Sequence, residues 1–492
     1  MHTGHLFPFA NPTFAPRDLS VDVCEGTKPR SAVRHGLTRR VSFALLGALA
    51  LSTVAIAQPA PPKGDADAAA FRDGFLAGRV TWNDVLARAK KEGTVSWFYW
   101  GGNDILNGWV DRFVAPEMAK LGVTLKSSRI PNTRDAVDLV VADNTAGRGI
   151  GQGTVDAIWI NGANTLTLGQ QGALFGAFAQ RLPNAKYFDF DPNSTTSRLN
   201  LFDLGYPTGG RLMPWGAEQY VCYIDSARLP PAKAPSEFKD FEPYVRANPG
   251  RFTYIKPPHF NGNTFVETVL YSTNPDGYRA FQKDRKDFTP EEFTKLVTPG
   301  FELLRRIEPF LLGGGGKDGQ RGAPIYPENP AANWRRFADG EVDMGCGFGL
   351  FGVTVRVGNG SFPATAQTRA FPKNGMIVGK TFVGIPNNTP HPAAALVLAN
   401  LLSSPEAQIS KLAAYGSPLG LELSRLEPVN RDKAVAAAPK LVGTTLAELG
   451  AVGVPDFNAS LVHLIERIWA DYIERQSTRP LSDIVAAAFA KQ

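Results

Sequence analysis

Hydrophobic and polar positions alternate along this chain in two periods from about residue 71 onward. The run Thr94–Trp100 is β-branched and aromatic, which is typical of a buried strand. Before it, the capping pattern Thr-Trp-Asn-Asp at 81–84 precedes apolar residues at helical spacing, and Gly93 ends the predicted helix. The alternation continues with strands predicted near 123–125 and 155–160 and helices near 136–146 and 165–171.

The rest of the chain carries the same two periods less regularly. Strands are predicted at 214–224, 252–255, 341–346 and 379–385, and helices at 264–271, 291–307, 333–338, 392–402 and 462–472. Strands that alternate with helices predict parallel sheets, because parallel neighbours need a crossover and cannot be joined by a tight turn. The pattern therefore predicts an α/β protein, and a length of 492 residues favours two lobes.

Composition narrows the functional classes. Hydrophobic residues make up 43% of the chain, which is enough for a large buried core and excludes disorder as the main state. The formal net charge is +6, and residues 1–57 hold six basic and three acidic residues, so half of the excess lies there. The weak remaining excess is no electrostatic footprint for nucleic acid.

The first 57 residues have the layout of a cleavable export signal. Arg34, Arg39 and Arg40 precede an uncharged apolar stretch at 41–56, and Ala55-Ile56-Ala57 is a small-x-small cleavage pattern. The stretch is shorter than a bilayer span and prolines follow it at once, so we expect a signal peptide at 1–57 with an extended leader. Residues 58–70 are predicted to be a linker, and the mature protein to be periplasmic without stable membrane insertion. Sec or twin-arginine export and the true start codon remain open.

Only two of the three cysteines, Cys222 and Cys346, would remain after cleavage at residue 57, because Cys24 lies in the leader. In an oxidising compartment they could pair, but each lies in an apolar strand-like segment where a buried free thiol fits equally well. Both alternatives stay open at this stage.

Catalytic machinery is hard to assemble from the remaining residues. His259, His391 and His463 are far apart, and no close spacing of histidine, cysteine and carboxylate indicates a metal site. There is no nucleophile-elbow motif, phosphate loop or dinucleotide glycine fingerprint after a strand. We therefore expect no catalytic residues, no metal and no cofactor.

Four strand-to-helix loops instead carry glycine, amide and aromatic residues. They are 100–104, 161–164, 259–264 and 346–349. The carboxyl ends of parallel strands form the ligand crevice of α/β sheets, and these residue types offer close approach, neutral hydrogen bonds and stacking faces. Ordinary turn chemistry would explain each loop taken alone.

Several segments, in matching order, resemble bacterial extracellular solute-binding proteins of ABC importers, family 1, and within it the YnjB-type subgroup. They are the strand and loop at 155–164, Gly-Glu-Val-Asp-Met-Gly at 340–345, Phe-Val-Gly-Ile-Pro at 382–386 and Leu-Ser-Ser-Pro-Glu-Ala-Gln at 402–408. The likeness runs from about Gly93 to Leu421, and the order of the segments carries more weight than any one of them.

The resemblance implies a two-lobed periplasmic-binding-protein-like fold of type II, with each lobe a mixed, mainly parallel sheet flanked by helices. Lobe one would be 71–214 and 376–492, lobe two 215–375, and hinge crossings would lie near 213–219 and 371–375. The ligand would lie between the lobes. The residues expected to face it are Trp100, Gly101, Gly102, Asn103, Asp104, Asn161, Asn164, Trp215, Glu218, His259, Asn261, Asn263, Thr264 and Phe348.

A family member of this kind binds a small molecule without turning it over and works with ABC permease and ATPase subunits, and we expect a monomer. Asp104 and Glu218 with Trp100 and Trp215 would suit a small organic cation, thiamine-like or a polyamine. An anion would use helix N-termini near 101–102 and 261–263 instead. The alternative function is a secreted α/β hydrolase with an unrecognised active site.

Overall fold

The computed structural model describes residues 64–194, 197–315, 322–371 and 376–491. All of them belong to one compact unit, Ala60–Gln492. The predicted signal peptide, Cys24 and most of the predicted crossing at 371–375 lie outside the described residues. Within the described part of the chain, no helix is both long enough and apolar enough to cross a membrane.

Helices and strands alternate through the first half of the chain, as the hydrophobic pattern predicts. The helices are α1 (Ala66–Leu76), α2 (Trp82–Glu92), α3 (Asp104–Trp109), α4 (Ala115–Lys120), α5 (Arg134–Thr145), α6 (Ala163–Gln170), α7 (Arg198–Leu201), α8 (Phe238–Ala247), α9 (Phe260–Ser272), α10 (Pro290–Ile307), α11 (Pro330–Ala338), α12 (Gly352–Gly358), α13 (Pro392–Leu402), α14 (Pro405–Tyr415), α15 (Pro428–Ala437), α16 (Leu446–Ala451), α17 (Val462–Trp469) and α18 (Leu481–Ala490). The strands are β1 (Thr94–Trp100), β2 (Thr124–Ile130), β3 (Ala157–Ile160), β4 (Phe202–Asp203), β5 (Tyr206–Pro207), β6 (Leu212–Asp225), β7 (Met344–Phe348), β8 (Ala366–Arg369), β9 (Met376–Gly384) and β10 (Gly453–Val454).

Three local predictions differ from the structure. Helix α1 begins at Ala66, inside the predicted linker, because the Asp65 side chain caps it and alanine favours helix. The strand predicted at 252–255 is absent, and Phe252 makes only an isolated bridge to Met344. The segment 260–263, predicted as loop, forms the first turn of α9.

The main sheet is mixed rather than wholly parallel. Its order is β2-β1-β3-β9-β6-β7, with β10 against β9 and β8 against β6. β1 lies parallel to both β2 and β3, as crossover helices require, whereas β9 runs antiparallel to β3 and to β6. The antiparallel strands join the chain's two large hydrophobic cores.

β6 is long enough to take part in both halves of the molecule. Its first part pairs with β9, from Leu212 opposite Gly384 to Gln219 opposite Val378, and its last residues pair with β7 and β8. The first core packs around β1 and α13 and includes Trp97 and Trp215. The second packs around α9 and α10. The backbone of β6 therefore leads directly from one core to the other.

The C-terminal helices contribute to the second core. α18 packs against α10, and Leu461, Ile465, Trp469 and Ile484 belong to the cluster formed with α9 and α10. The predicted division placed all of 376–492 in lobe one, whereas the buried residues of 457–488 pack in the second core. The amphipathic stripe of α17 was visible in the sequence, but the surface that it covers was not.

Cys222 and Cys346 are bonded to each other, which resolves the two alternatives left by the sequence. They lie directly opposite on the antiparallel strands β6 and β7, and they are 1% and 4% exposed. The bond closes a segment with a sequence separation of 124 residues. It therefore constrains a large part of the unfolded chain.

Replacing both cysteines by alanine should lower the free energy of unfolding by about 2–5 kcal/mol, because the unfolded chain regains the entropy that the loop closure removes. Chemical denaturation of the double variant and the parent, each with and without a reductant, measures this change. Reductant should destabilise the parent and leave the variant unchanged. Two free thiols in the unfolded, unreduced parent would contradict the pairing.

Candidate functional site

A cavity of about 400 Å³ lies where the loops of the sheet, α9 and the C-terminal segment meet. Its walls come from the end of β1, the loop after β2, the start of α6, the middle of β6 and β9, and residues 455–466. Because these elements belong to both hydrophobic cores, the cavity lies between the two halves of the molecule. This is the position in which the sequence predicted a ligand crevice.

Most of the predicted binding residues line this cavity. Those that do are Trp100, Asn161, Asn164, Glu218, His259, Asn261, Asn263, Thr264 and Phe348. Gly101, Gly102, Asn103, Asp104 and Trp215 are not part of its lining. Only some residues of the predicted loops therefore line the cavity.

Trp215 fails as a cleft residue because it is buried in an aromatic cluster. It is 2% exposed, and its ring lies 5.3 Å from that of Trp97 and 5.1 Å from that of Trp159, centroid to centroid. Lys411 Nζ lies 3.9 Å from its ring centroid and donates a hydrogen bond to its carbonyl oxygen at 2.7 Å. Trp215 therefore supports the strand behind the cavity and does not touch the space itself.

The loop after β1 uses its polar residues for its own structure. The Asn103 side chain caps α3 by accepting hydrogen bonds from the backbone N–H groups of Ile105 and Leu106. The Gly101 N–H donates to the carbonyl of Ile130. Asp104 is exposed at the first position of α3. A Cβ at residue 102 would lie 2.4 Å from the Trp100 ring, so the glycine there lets that ring pack over the loop.

Trp100 and Asn161 are held firmly at the wall formed by β1 and β3. The Trp100 ring meets Trp159 edge to face, with centroids 6.3 Å apart. Asn161 accepts from Trp159 Nε1 and donates to the Lys380 carbonyl, each at 2.8 Å. These contacts orient an aromatic face and an amide toward the cavity before any ligand arrives.

The opposite wall is the first turns of α9. His259 caps this helix, since its Nδ1 accepts from the Asn261 N–H at 3.1 Å, and burial lowers the pKa of His259 to about 4. Asn261 in turn accepts from the Phe348 N–H. The Phe348 ring stacks on Phe260 at 5.0 Å. His259 is therefore a neutral structural residue at neutral pH.

Four acids that sequence reasoning missed also line the cavity: Asp203, Glu267, Asp456 and Glu466. Asp203 Oδ2 accepts from the Gly162 N–H at 2.7 Å and from Thr165 Oγ1, and burial raises the pKa of Asp203 to about 6. Glu267 lies one helical turn after Asn263, and residues four apart lie on the same face of a helix. Continuing from the predicted site residue Asn263 along that face would therefore have found it. No comparable signal marks Asp203, the last residue of β4, or Asp456, which lies two residues after β10.

Glu267 and Asp456 form a buried acidic pair. Glu267 is 1% exposed, and its Oε1 accepts from the Tyr271 hydroxyl at 2.7 Å and the Phe457 N–H at 2.6 Å. Burial and the Asp456 charge raise the pKa of Glu267 well above its usual range. Burial also raises the pKa of Asp456 to about 7, and the nearby Asp203 charge acts in the same direction.

Glu218 is the acid that β6 brings to the cavity. Its Oε1 accepts from Ser417 Oγ at 3.2 Å, while its pKa is raised to about 7 by burial against the opposing charge of Lys411. Burial in turn lowers the pKa of Lys411 to about 7. The Glu218 carboxyl is therefore easily protonated in the empty site and gains from any cation placed beside it.

Metal binding does not explain these acids. Among the residues that the structure describes, no three histidine, cysteine, aspartate or glutamate side chains are grouped so that they could hold a metal ion. His391 lies outside the cavity and contacts Asp156, and His463 contacts Glu466 at the cavity edge. The acids and rings are the chemically distinctive part of this cavity.

Comparisons with known proteins identify the architecture. Residues 109–440 match the family model described as bacterial extracellular solute-binding protein. Protein YnjB of Escherichia coli (strain K12) is 31% identical over 394 residues, covering 79% of this chain and 92% of that protein. This level of identity over most of both chains confirms the predicted subgroup.

Solved structures show the same fold at low sequence identity. A T. maritima protein named MalE3, solved with maltose bound, has a TM-score of 0.57 at 14% identity, covering 81% of this chain and 98% of its own. An ABC transporter substrate-binding protein from Bradyrhizobium japonicum USDA 110 has a TM-score of 0.51 at 16% identity, covering 81% and 98%. The predicted two-lobed periplasmic-binding-protein fold is confirmed.

Proteins of this family are the substrate-binding components of ABC transporters; they bind small ligands outside the cytoplasm and work with permease and ATPase components. They are not enzymes, which removes the secreted hydrolase as an alternative. The chain belongs to the bacterial extracellular solute-binding protein family of ABC transporters.

Proposed function

We propose that this protein captures a small organic cation, thiamine-like or a polyamine, in the cavity between its two lobes and delivers it unchanged to a membrane permease. The observation that carries the proposal is the excess of buried acid over available base in the cavity wall. Asp203, Glu218, Glu267, Asp456 and Glu466 all line it. An uncompensated buried charge is unfavourable, so a cationic ligand would stabilise this arrangement.

The basic residues of the lining do not offset these acids. Lys380 donates to the carbonyl of Gly420 and lies 3.5 Å from Glu422, so its charge is directed away from the cavity. Arg134 is exposed and pairs with Asp138 on its own helix. Arg198 is also exposed. The deeper part of the cavity therefore favours positive charge.

Aromatic rings supply the second element of cation recognition. Trp100, Trp159, Phe260 and Phe348 line the cavity on opposite sides. A cation over such a ring gains about 0.5–2 kcal/mol, more when water is excluded. The same rings would also cover the methylene or heterocyclic body of the ligand.

An anionic ligand has less support. The N–H groups at the start of α3 donate to Asn103 Oδ1, and those at the start of α9 donate to His259. Helix N-termini bind anions through free N–H groups, and these are already taken.

Hinge motion would couple binding to transport. In the proposed division, lobe one (71–214 and 376–492) and lobe two (215–375) are linked through β6 and the segment before β9, with 457–488 packed on the second core. A ligand that contacts both walls binds the closed form better and shifts the population toward it. Export by the N-terminal signal and a monomeric state complete the proposal.

Replacing Trp100 with alanine should abolish the ligand-induced rise in melting temperature, because the variant loses the ring that β1 presents to the ligand. A thermal-shift screen of the mature protein against thiamine-like compounds, polyamines, sugars, amino acids and oxyanions provides the ligand. A hundredfold excess over Kd should stabilise the parent by about 2.7 kcal/mol.

Trp82→Ala is the matched control, because Trp82 packs outside the cavity against the first core. It should keep the full ligand response, as should Asp104→Asn. If a sugar or an oxyanion gives the largest rise in melting temperature, the proposed ligand class is contradicted. If Trp100→Ala binds the ligand with parental affinity, the proposed position of the site is contradicted.

Affinity for the cation should increase with pH between about 5.5 and 8. The pKa values of Asp203, Glu218 and Asp456 are raised to about 6, 7 and 7, so below this range the acids are protonated and the ligand must displace protons. The Kd should fall by about tenfold or more across the interval. Isothermal titration calorimetry at constant ionic strength measures it, and a flat profile would contradict the role of these acids.

A further inference from the structure

The floor of the cavity is formed where Glu218 of β6 lies opposite Gly379 of β9. Residues directly opposite in an antiparallel pair project toward the same face, so Glu218 shares its face with the position where residue 379 has no side chain. A Cβ at 379 would have Asp456 Oδ2 as its nearest described neighbour, at 3.9 Å. Glycine thus leaves a space between two carboxyl groups that come from distant parts of the chain.

Four oxygens of this lining have no hydrogen-bond partner among the described residues. They are Glu218 Oε2, Asn263 Oδ1, Thr381 Oγ1 and Asp456 Oδ1. Asn263 and Asp456 are each only 8% exposed. Asn263 Nδ2 donates to Glu466 at 2.7 Å, which fixes the amide at the cavity wall. The carboxyl and amide oxygens can only accept unless a carboxyl is protonated, whereas the Thr381 hydroxyl can also donate.

Neighbouring acids cannot meet this demand. The acid beside Asp456 is Glu267, and once both carboxyl groups are ionised neither can donate to the other. Lys411 lies beside Glu218, but its Nζ donates to the Trp215 carbonyl and its side chain is not part of the cavity lining. The space above Gly379 is therefore bordered by two carboxyl groups, whereas the basic residues of the lining are exposed or paired elsewhere.

We infer that this floor seats a cationic head that carries N–H groups, a protonated amine, amidine or guanidine, between Glu218 and Asp456, with Asn263 as a further acceptor. The inference rests on the proposed function and narrows it from organic cations in general to those that donate hydrogen bonds. A quaternary ammonium or a thiazolium would supply the charge but leave buried acceptors unpaired, which is unfavourable.

Calorimetry with 1,4-diaminobutane and its fully methylated bis-quaternary counterpart tests the inference on the mature protein. The tetramethyl tertiary diamine controls for bulk, since each protonated nitrogen keeps one N–H. We expect the primary and tertiary amines to bind at least about tenfold more tightly than the quaternary dication, the difference expected for a hydrogen bond to a charged group. Equal or tighter binding of the quaternary dication overturns the inference but leaves an organic-cation function intact. Binding of none of the three overturns both.

Three variants test where the cationic head binds. Glu218→Gln and Asp456→Asn replace each acid by an amide of the same shape, and each should weaken diamine binding by about tenfold or more because the negative charge is lost. Gly379→Val keeps every acid, suits a strand, and should block the space with the apo melting temperature retained. Asp104→Asn removes an exposed acid outside the cavity and should leave affinity unchanged. Parental affinity in Gly379→Val overturns the placement even if an acid variant folds poorly.

Discussion

The backbone pairing of β6 with β9 is the constraint on which the rest of this molecule depends. β6 contributes one end to a sheet with the first core and the other to β7 and β8 beside the second. The register between the strands sets which side chains reach the cavity, because a slip of one residue would turn Glu218 to the opposite face. The backbone hydrogen bonds between β6 and β9 thus hold the hinge strands, the floor of the site and the connection between the two cores.

The second organising feature is an acidic interior left without basic partners. A protein built for stability alone would pair or remove Asp203, Glu267 and Asp456, since desolvation disfavours their charged forms. Here Asp203 accepts hydrogen bonds from Gly162 and Thr165, and Glu267 accepts one from Tyr271. Buried groups without partners are expected at functional sites rather than elsewhere in a protein. The chemistry of these unpaired carboxyl groups therefore indicates the chemistry of the ligand.

Local patterns were enough to predict much of this fold, and long-range contacts account for the rest. The limits of β1 and of α13 agree with the sequence pattern because strand-forming residues and a proline-started alanine helix are local signals. Trp215 was predicted to face the ligand but lies in the first core. The local sequence around a tryptophan in a strand is similar whether the ring faces a cavity or a core. Asp456 was missed because its position near Gly379 depends on a fold-back of 77 residues that no short window contains.

The bond between Cys222 and Cys346 also determines how the protein responds to a protease. The residues between them include α8, α9, α10 and α11, most of the second core, and the exposed turn at Pro275 and Asp276. A single cut in such a turn would not release a fragment, because both new ends stay tethered through the same covalent link. A nicked molecule would therefore keep its packed helices together as one particle and would separate into two pieces only after a reductant breaks the disulfide.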